Sequence, residues 1–123
     1  MEEKGYVTRR VAELLRLKGF DGNTNHYYAE GEEGLLRSLS TINWNDAVGY
    51  YSAPTVQAAR DWLEEKYGFF ISINRIIDPK GVYHYGYLIL DKKCKYVGST
   101  ADYFPSNHEA ANAALESCLE NYI

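Results

Sequence analysis

At 123 residues the chain is long enough to bury a hydrophobic core without disulfides or bound metal. Its 13 basic against 17 acidic residues, a net charge of −4, argue against a generic polyanion binder and leave room only for a local basic patch. Twelve tyrosines against four phenylalanines and two tryptophans are the compositional oddity, and they point to large half-buried surfaces with polar tips.

The first element in chain order is a helix from Thr8 to Lys18. Thr8 is its N-cap, Val11, Leu14 and Leu15 form the buried stripe, and Arg9, Arg10, Glu13 and Arg16 are solvated. Lys18-Gly19-Phe20 closes it with a glycine stop. In residues 21–52, His26 to Glu30 and Leu35 to Leu39 flank a GEEG turn and read as a two-stranded hairpin, with a short helix over Leu35 to Ser40 as the alternative. The segment TINWNDAVGYYS sets Trp44, Tyr50 and Tyr51 among turn formers and predicts an ordered loop pinned by aromatics.

A second helix follows Pro54 and Thr55, with Val56, Ala59, Trp62, Leu63 and Tyr67 on one stripe, and it stops at Gly68. Phe69 to Ile77 and Val82 to Leu90 alternate as strands about the reverse turn Asp78-Pro79-Lys80-Gly81. The second strand is apolar on both faces, as a central strand would be. After the charged turn Asp91-Lys92-Lys93, Cys94 to Thr100 reads as a third strand. Ser106 and Glu109 form a capping box for a last helix from Asn107 to Tyr122, with Ala111, Ala114, Leu115, Cys118, Leu119 and Tyr122 inward. From Ser99 onward only acidic residues, Asp102, Glu109, Glu116 and Glu120, carry charge.

The fold class that follows is α+β in two layers: a three-stranded antiparallel sheet in helix-β-β-β-helix order, preceded by an N-terminal helix and hairpin. Residues 1–123 read as a single domain, with 1–52 as a helix and hairpin subregion and 53–123 as the core. No apolar run approaches the ~20 residues of a membrane span. The polar start MEEKGYVTRR does not read as a signal peptide, so the expected location is cytoplasmic.

The order of elements over residues 53–122 is similar to that of the double-stranded RNA-binding domain. That family's lysines at the start of the last helix and its histidine-bearing loop have no counterparts in SNHEAANAA and DPKG, so the resemblance does not imply RNA binding. The early GFD, the tyrosine-rich hairpin, APT before a Trp-Leu helix and the final S-x-x-E-A helix start are similar to a group of small uncharacterised proteins. These occur in gut Bacteroides-type bacteria and their phages or mobile elements. The likeness implies the fold, and no activity or site residues.

Candidate chemistry is sparse. Tyr83, Tyr85 and Tyr87 alternate onto one face, with Tyr96 or Val97 on the neighbouring strand. If both helices cover the opposite face, these rings form an aromatic patch for a protein partner, a second copy of the chain, or stacked bases. The bland reading packs the N-terminal half over them. Lys92, Lys93 and Lys95 form one small basic group, and Lys4, Arg9, Arg10 and Arg16 another; solvated turns and helix faces account for both.

His26, His84 and His108 fall on different elements without metal-ligand spacing to either cysteine, so neither a metal nor a cofactor is expected. Cys94 and Cys118 read as reduced, buried small hydrophobes. A Cys94–His84 nucleophile pair across adjacent strands lacks a third orienting group. The sequence therefore favours a small non-enzymatic binding or adaptor module acting through protein contacts or self-association. The alternative is a nucleic-acid-binding accessory protein, and an enzyme ranks third.

Overall fold

The computed structural model describes residues 5–100 and 103–123; Met1 to Lys4 of the polar start, Lys4 in the basic group and Asp102 lie outside them. The chain divides into two compact units, Met1–Ala59 and Arg60–Ile123. Its class is α+β, with two three-stranded antiparallel sheets.

The first unit holds helix α1 (Arg9–Leu17) and strands β1 (Thr24–Ala29), β2 (Leu36–Ile42) and β3 (Tyr50–Ser52) in the sheet order β2-β1-β3. Thr8 caps α1 by accepting from the Val11 amide at 3.3 Å, and Val11, Leu14 and Leu15 are buried as the spacing requires. The hairpin forms about the GEEG loop, with Tyr27 opposite Leu36, so residues 36–42 are a strand and not a helix.

The segment expected to be a loop contains a one-turn 3-10 helix at Trp44–Asp46 and then β3. A three-residue strand leaves no periodicity to read; tertiary hydrogen bonds place it. Asn45 donates through Nδ2 to the Phe20 carbonyl at 2.9 Å and accepts the Ser52 amide on Oδ1 at 2.9 Å. The Trp44 ring stacks on Tyr27 at 4.0 Å while its Nε1 donates to the Thr24 carbonyl. Arg9 and Arg16 are not merely solvated. Their guanidinium groups flank the Tyr51 ring at 5.8 and 5.4 Å. Arg9 donates to the carbonyls of Ala29 and Glu32, and Arg16 to those of Ala47 and Tyr50.

Helix α2 (Val56–Tyr67) spans the division between the units. Its cap is Thr55, whose hydroxyl accepts the Ala58 amide at 3.1 Å, and Pro54 precedes that cap. The second unit continues with β4 (Phe70–Ile77), β5 (Tyr83–Leu90), β6 (Tyr96–Ser99) and α3 (Asn107–Asn121), and β5 is the central strand. Ser106 caps α3 by accepting the Glu109 amide at 3.1 Å; the box closes through the Ser106 hydroxyl, which donates to Glu109 Oε2 at 3.0 Å.

Ile71 pairs with Ile89, and Ile89 with Gly98, so all three share one sheet face. A Cβ on Gly98 would lie 2.7 Å from Tyr122 Oη, which places the C-terminal end of α3 over that face. Ile71 and Ile89 are 2% and 0% exposed there, and Ala110, Ala111, Ala114, Leu115, Cys118 and Leu119 of α3 are fully buried.

The two turns of the second sheet are built alike. Asp78 accepts the amides of Lys80 and Val82 at 2.8 and 3.0 Å, and Asp91 accepts those of Lys93 and Lys95, both at 2.9 Å. The residue three positions after each aspartate takes positive φ: Gly81 at 83° and Cys94 at 59°. Cys94 is thus exposed in a turn, not buried in a strand as read from the sequence, because β6 begins only at Tyr96. The left-handed conformation costs a non-glycine residue ~1–2 kcal/mol, offset for glycine by ~0.5–1 kcal/mol of extra unfolded-state entropy. Cys94→Gly is therefore expected to raise unfolding stability by about 0.5–1 kcal/mol in denaturant titrations, and Gly81→Ala to lower it. A Cys94→Gly protein less stable than the parent would refute this account of the turn.

Candidate functional site

The β4–β5 ladder runs in unbroken register from Phe70 opposite Leu90 to Ile77 opposite Tyr83. Period-two alternation then fixes which side chains share a face. Tyr83, Tyr85 and Tyr87 stand on the same face as Ile89, the face that α3 covers. The open aromatic patch anticipated on a helix-free face is therefore not formed by this row: Tyr85 and Tyr87 are half-buried, and only Tyr83 is exposed, at 49%. Tyr96 is exposed but pairs with Leu90, which puts it on the opposite face.

Along the α3-covered face exposure rises steadily on β4, from buried Ile71 through half-buried Ile73 to Ile77 at 60%. The helix covers the near half of the hairpin and leaves the far half uncovered. At that far end Ile76 (40%), Ile77, Val82 (52%) and Tyr83 are all exposed, and the Arg75 guanidinium lies 4.3 Å from the centre of the Tyr83 ring. These side chains make an amphipathic arm: an apolar anchor, an aromatic ring with a polar tip, and a cation already seated on that ring.

The arm is stiffened at its turn by Asp78. Beyond its two backbone amides, this carboxylate accepts from His84 Nε2 at 2.9 Å. The His84 bond first, and then the Val82 amide, hold the Asp78 carboxyl below its ordinary 3.8.

Lys92, Lys93 and Lys95 are exposed together on the β5–β6 turn, next to exposed Tyr96. A Cβ on Gly68 would overlap the Lys92 stem, so that lysine's methylenes pack on the end of α2. His84 and Cys94 do not meet. His84 lies near the start of β5 and Cys94 beyond its end, a separation of roughly 20 Å or more at about 3.3 Å per strand residue. Burial pushes the Cys118 thiol up to about 12, so it stays protonated near neutral pH.

Each histidine is engaged structurally. His26 packs on Tyr6 at 4.0 Å and donates from Nδ1 to Asn25 Oδ1, while His108 stands by the Asn112 amide. Among the described residues no group of three or more His, Cys, Asp or Glu could hold a metal ion, and no helix is long and apolar enough to cross a membrane. In the first unit a cleft of about 400 Å³ lies between Tyr6, Phe20, Asn25, Thr41 and Thr55; none of its lining side chains is a carboxylate, histidine, cysteine or lysine.

Comparison of the chain with protein-family models, with curated proteins and with solved structures gave no match in any of the three.

The Asp78 arrangement makes the arm sensitive to acid. A carboxyl held below its ordinary value in the folded state stabilises fully above that value and loses the contribution as pH falls through the folded value. The stability difference between the parent and Asp78→Asn should shrink as pH drops below 3.8. Denaturation midpoints of both proteins across that range test it; parallel curves would remove Asp78 from the account.

Proposed function

We propose that the chain is a small non-enzymatic binding module of the cytoplasm, which holds a protein partner through the far half of the β4–β5 arm. The observation that supports this is the grouping of Ile76, Ile77, Val82 and Tyr83, all exposed, on one hairpin end whose turn Asp78 and His84 stiffen. Scattered exposed apolar residues are ordinary; four on one short arm, one of them aromatic and with an arginine beside it, have the composition of an interface centre. Rigidity favours binding too, because a pre-formed hairpin loses little conformational entropy on association.

A second reading, a nucleic-acid-binding accessory protein, is favoured by Lys92, Lys93 and Lys95 exposed on one turn beside the Tyr96 ring. Stacking on a tyrosine with phosphate contacts from neighbouring lysines is a sequence-tolerant mode of single-strand binding. The acidic balance of the chain weighs against it, since such grooves carry more positive charge.

One experiment separates the two. The tagged protein is captured from cells of its host with and without nuclease, in parallel with Tyr83→Ala and with Lys92→Ala/Lys93→Ala. The arm reading expects a protein companion that survives nuclease and whose affinity falls about thirtyfold in Tyr83→Ala, an interface-centre loss of ~2 kcal/mol. Recovery of nucleic acid that depends on the lysine pair, with a salt slope near −2 for about three single-strand phosphate contacts, would overturn it.

A further inference from the structure

We propose that β4 is a pairing edge and that its occupant is β4 of a second copy of this chain, joined antiparallel about a two-fold axis at Ile76. The proposal deepens the binding-module reading and rests on it.

The direction of the free backbone groups follows from the other side of the sheet. Tyr85 donates its amide to the Phe104 carbonyl at 2.8 Å and accepts the Phe104 amide at 2.7 Å, so both of its backbone groups point away from β4. In the Arg75–Tyr85 pair the N–H and C=O of Arg75 must then point away from β5. Ile71, Ile73 and Ile77 share that direction by alternation. The Ile71 carbonyl is already taken, accepting from Arg60 Nη2 at 2.7 Å, and so α2 closes the edge at that end. Among the described residues, the backbone groups of Ile73, Arg75 and Ile77 remain, on a strand to which the sheet order gives no outer neighbour.

Exposed strand edges in folded proteins are commonly guarded by a bulge, by short length, by outward charge or by a covering segment. Other edges of this chain carry such guards. β2 has a register shift against β1 and is rich in serine and threonine, and β6 is four residues long with its Val97 carbonyl accepting from Tyr122 Oη at 2.7 Å. β4 has eight residues in unbroken register, and its one charged side chain, Arg75, is folded onto Tyr83.

The choice of occupant follows from what the edge tolerates opposite itself. Centring the axis on Ile76 makes Arg75 of each copy exchange both backbone bonds with Ile77 of the other, so the arginines do not face each other. Ile76 meets Ile76 at the close, non-hydrogen-bonded position. Asn74 falls opposite Asp78 of the second copy, a donor facing a carboxylate. Ile73 falls opposite Pro79, where the missing N–H ends the ladder. The second copy thereby stays clear of Ile71 and Arg60. An axis on Arg75 would instead oppose two like charges.

Sedimentation equilibrium of the full chain tests this, with cross-linking to read the register. The parent is expected to form dimers, and Ile76→Lys, which sets two lysines face to face at the axis, is expected to be monomeric with an unchanged circular dichroism spectrum. In a Cys94→Ser background, Ile76→Cys is expected to form a disulfide-linked dimer on mild oxidation, because facing non-hydrogen-bonded residues fall within disulfide reach, and Asn74→Cys is not. A parent that is monomeric at every concentration, a dimer indifferent to Ile76→Lys, or cross-linking through Asn74→Cys in place of Ile76→Cys would each overturn the proposal. A monomeric parent that still captures a Tyr83-dependent protein would refute the strand pairing alone and leave the binding-module reading standing.

Discussion

The contact on which the second unit depends is the Ile71–Ile89 pair beneath α3. Burying two isoleucines this completely stabilises the unit by roughly 1.5–3 kcal/mol each, and the small side chains Ala110, Ala111 and Ala114 let the helix approach closely enough to do it. The pair also sets register. Side chains in a strand alternate with a period of two, so a slip of one residue would move Ile71 and Ile89 from the buried face to the open one. Everything further along the hairpin inherits its orientation from this pair, including which tyrosines lie on the helix side and which apolar residues project from the far end.

The limited reach of α3 converts that register into a surface. The helix covers the sheet near Ile71, Ile89 and Gly98, but β4 and β5 continue beyond it, and exposure climbs from Ile71 to Ile77 along a single face. A hairpin that outruns its helix would ordinarily fray. Here Asp78 binds two backbone amides and His84, closing the end of the ladder where the helix gives no support. Asp91 repeats the turn at the β5–β6 connection, and the comparison shows the role of the left-handed position: Gly81 fits it without strain, while Cys94 occupies it with a side chain.

The sequence was most legible where one element carries its own signal. The buried stripe of α1, the glycine stop at Gly68, the Ser106–Glu109 cap and the β4–β5 hairpin all follow from local periodicity and local hydrogen bonding. Features fixed by distant partners were not legible. β3 exists because Asn45 reaches both Phe20 and Ser52, and Arg9 and Arg16 of α1 are held by the carbonyls of Ala29 and Ala47, more than a dozen residues away. The tyrosine row shows the same limit at the candidate site. Alternation shows that Tyr83, Tyr85 and Tyr87 share a face, but both faces of β5 are apolar, and only the packing of α3 decides which one is covered. Tyr83 stays exposed because it lies beyond the helix, and neither composition nor spacing encodes that distance.

The disposition of reactive groups bears on the kind of work this surface can do. General acid–base or nucleophilic chemistry needs titratable side chains that converge within hydrogen-bonding reach in a cavity. Among the described residues, the histidines His26 and His84 and the two cysteines lie apart. His84 is held by the carboxylate that builds its own turn, His26 is packed under Tyr6 within the first sheet, Cys118 is protonated in the core, and exposed Cys94 lies at the other end of β5 from His84. What converges on the β4–β5 arm is of another kind: isoleucines, a tyrosine with an arginine on its ring, and outward backbone groups on a strand that has no outer neighbour among the described residues. Apolar side chains, an aromatic ring and outward backbone groups are suited to matching the shape, apolar surface and extended backbone of another polypeptide, and the proposed binding reading rests on that grouping.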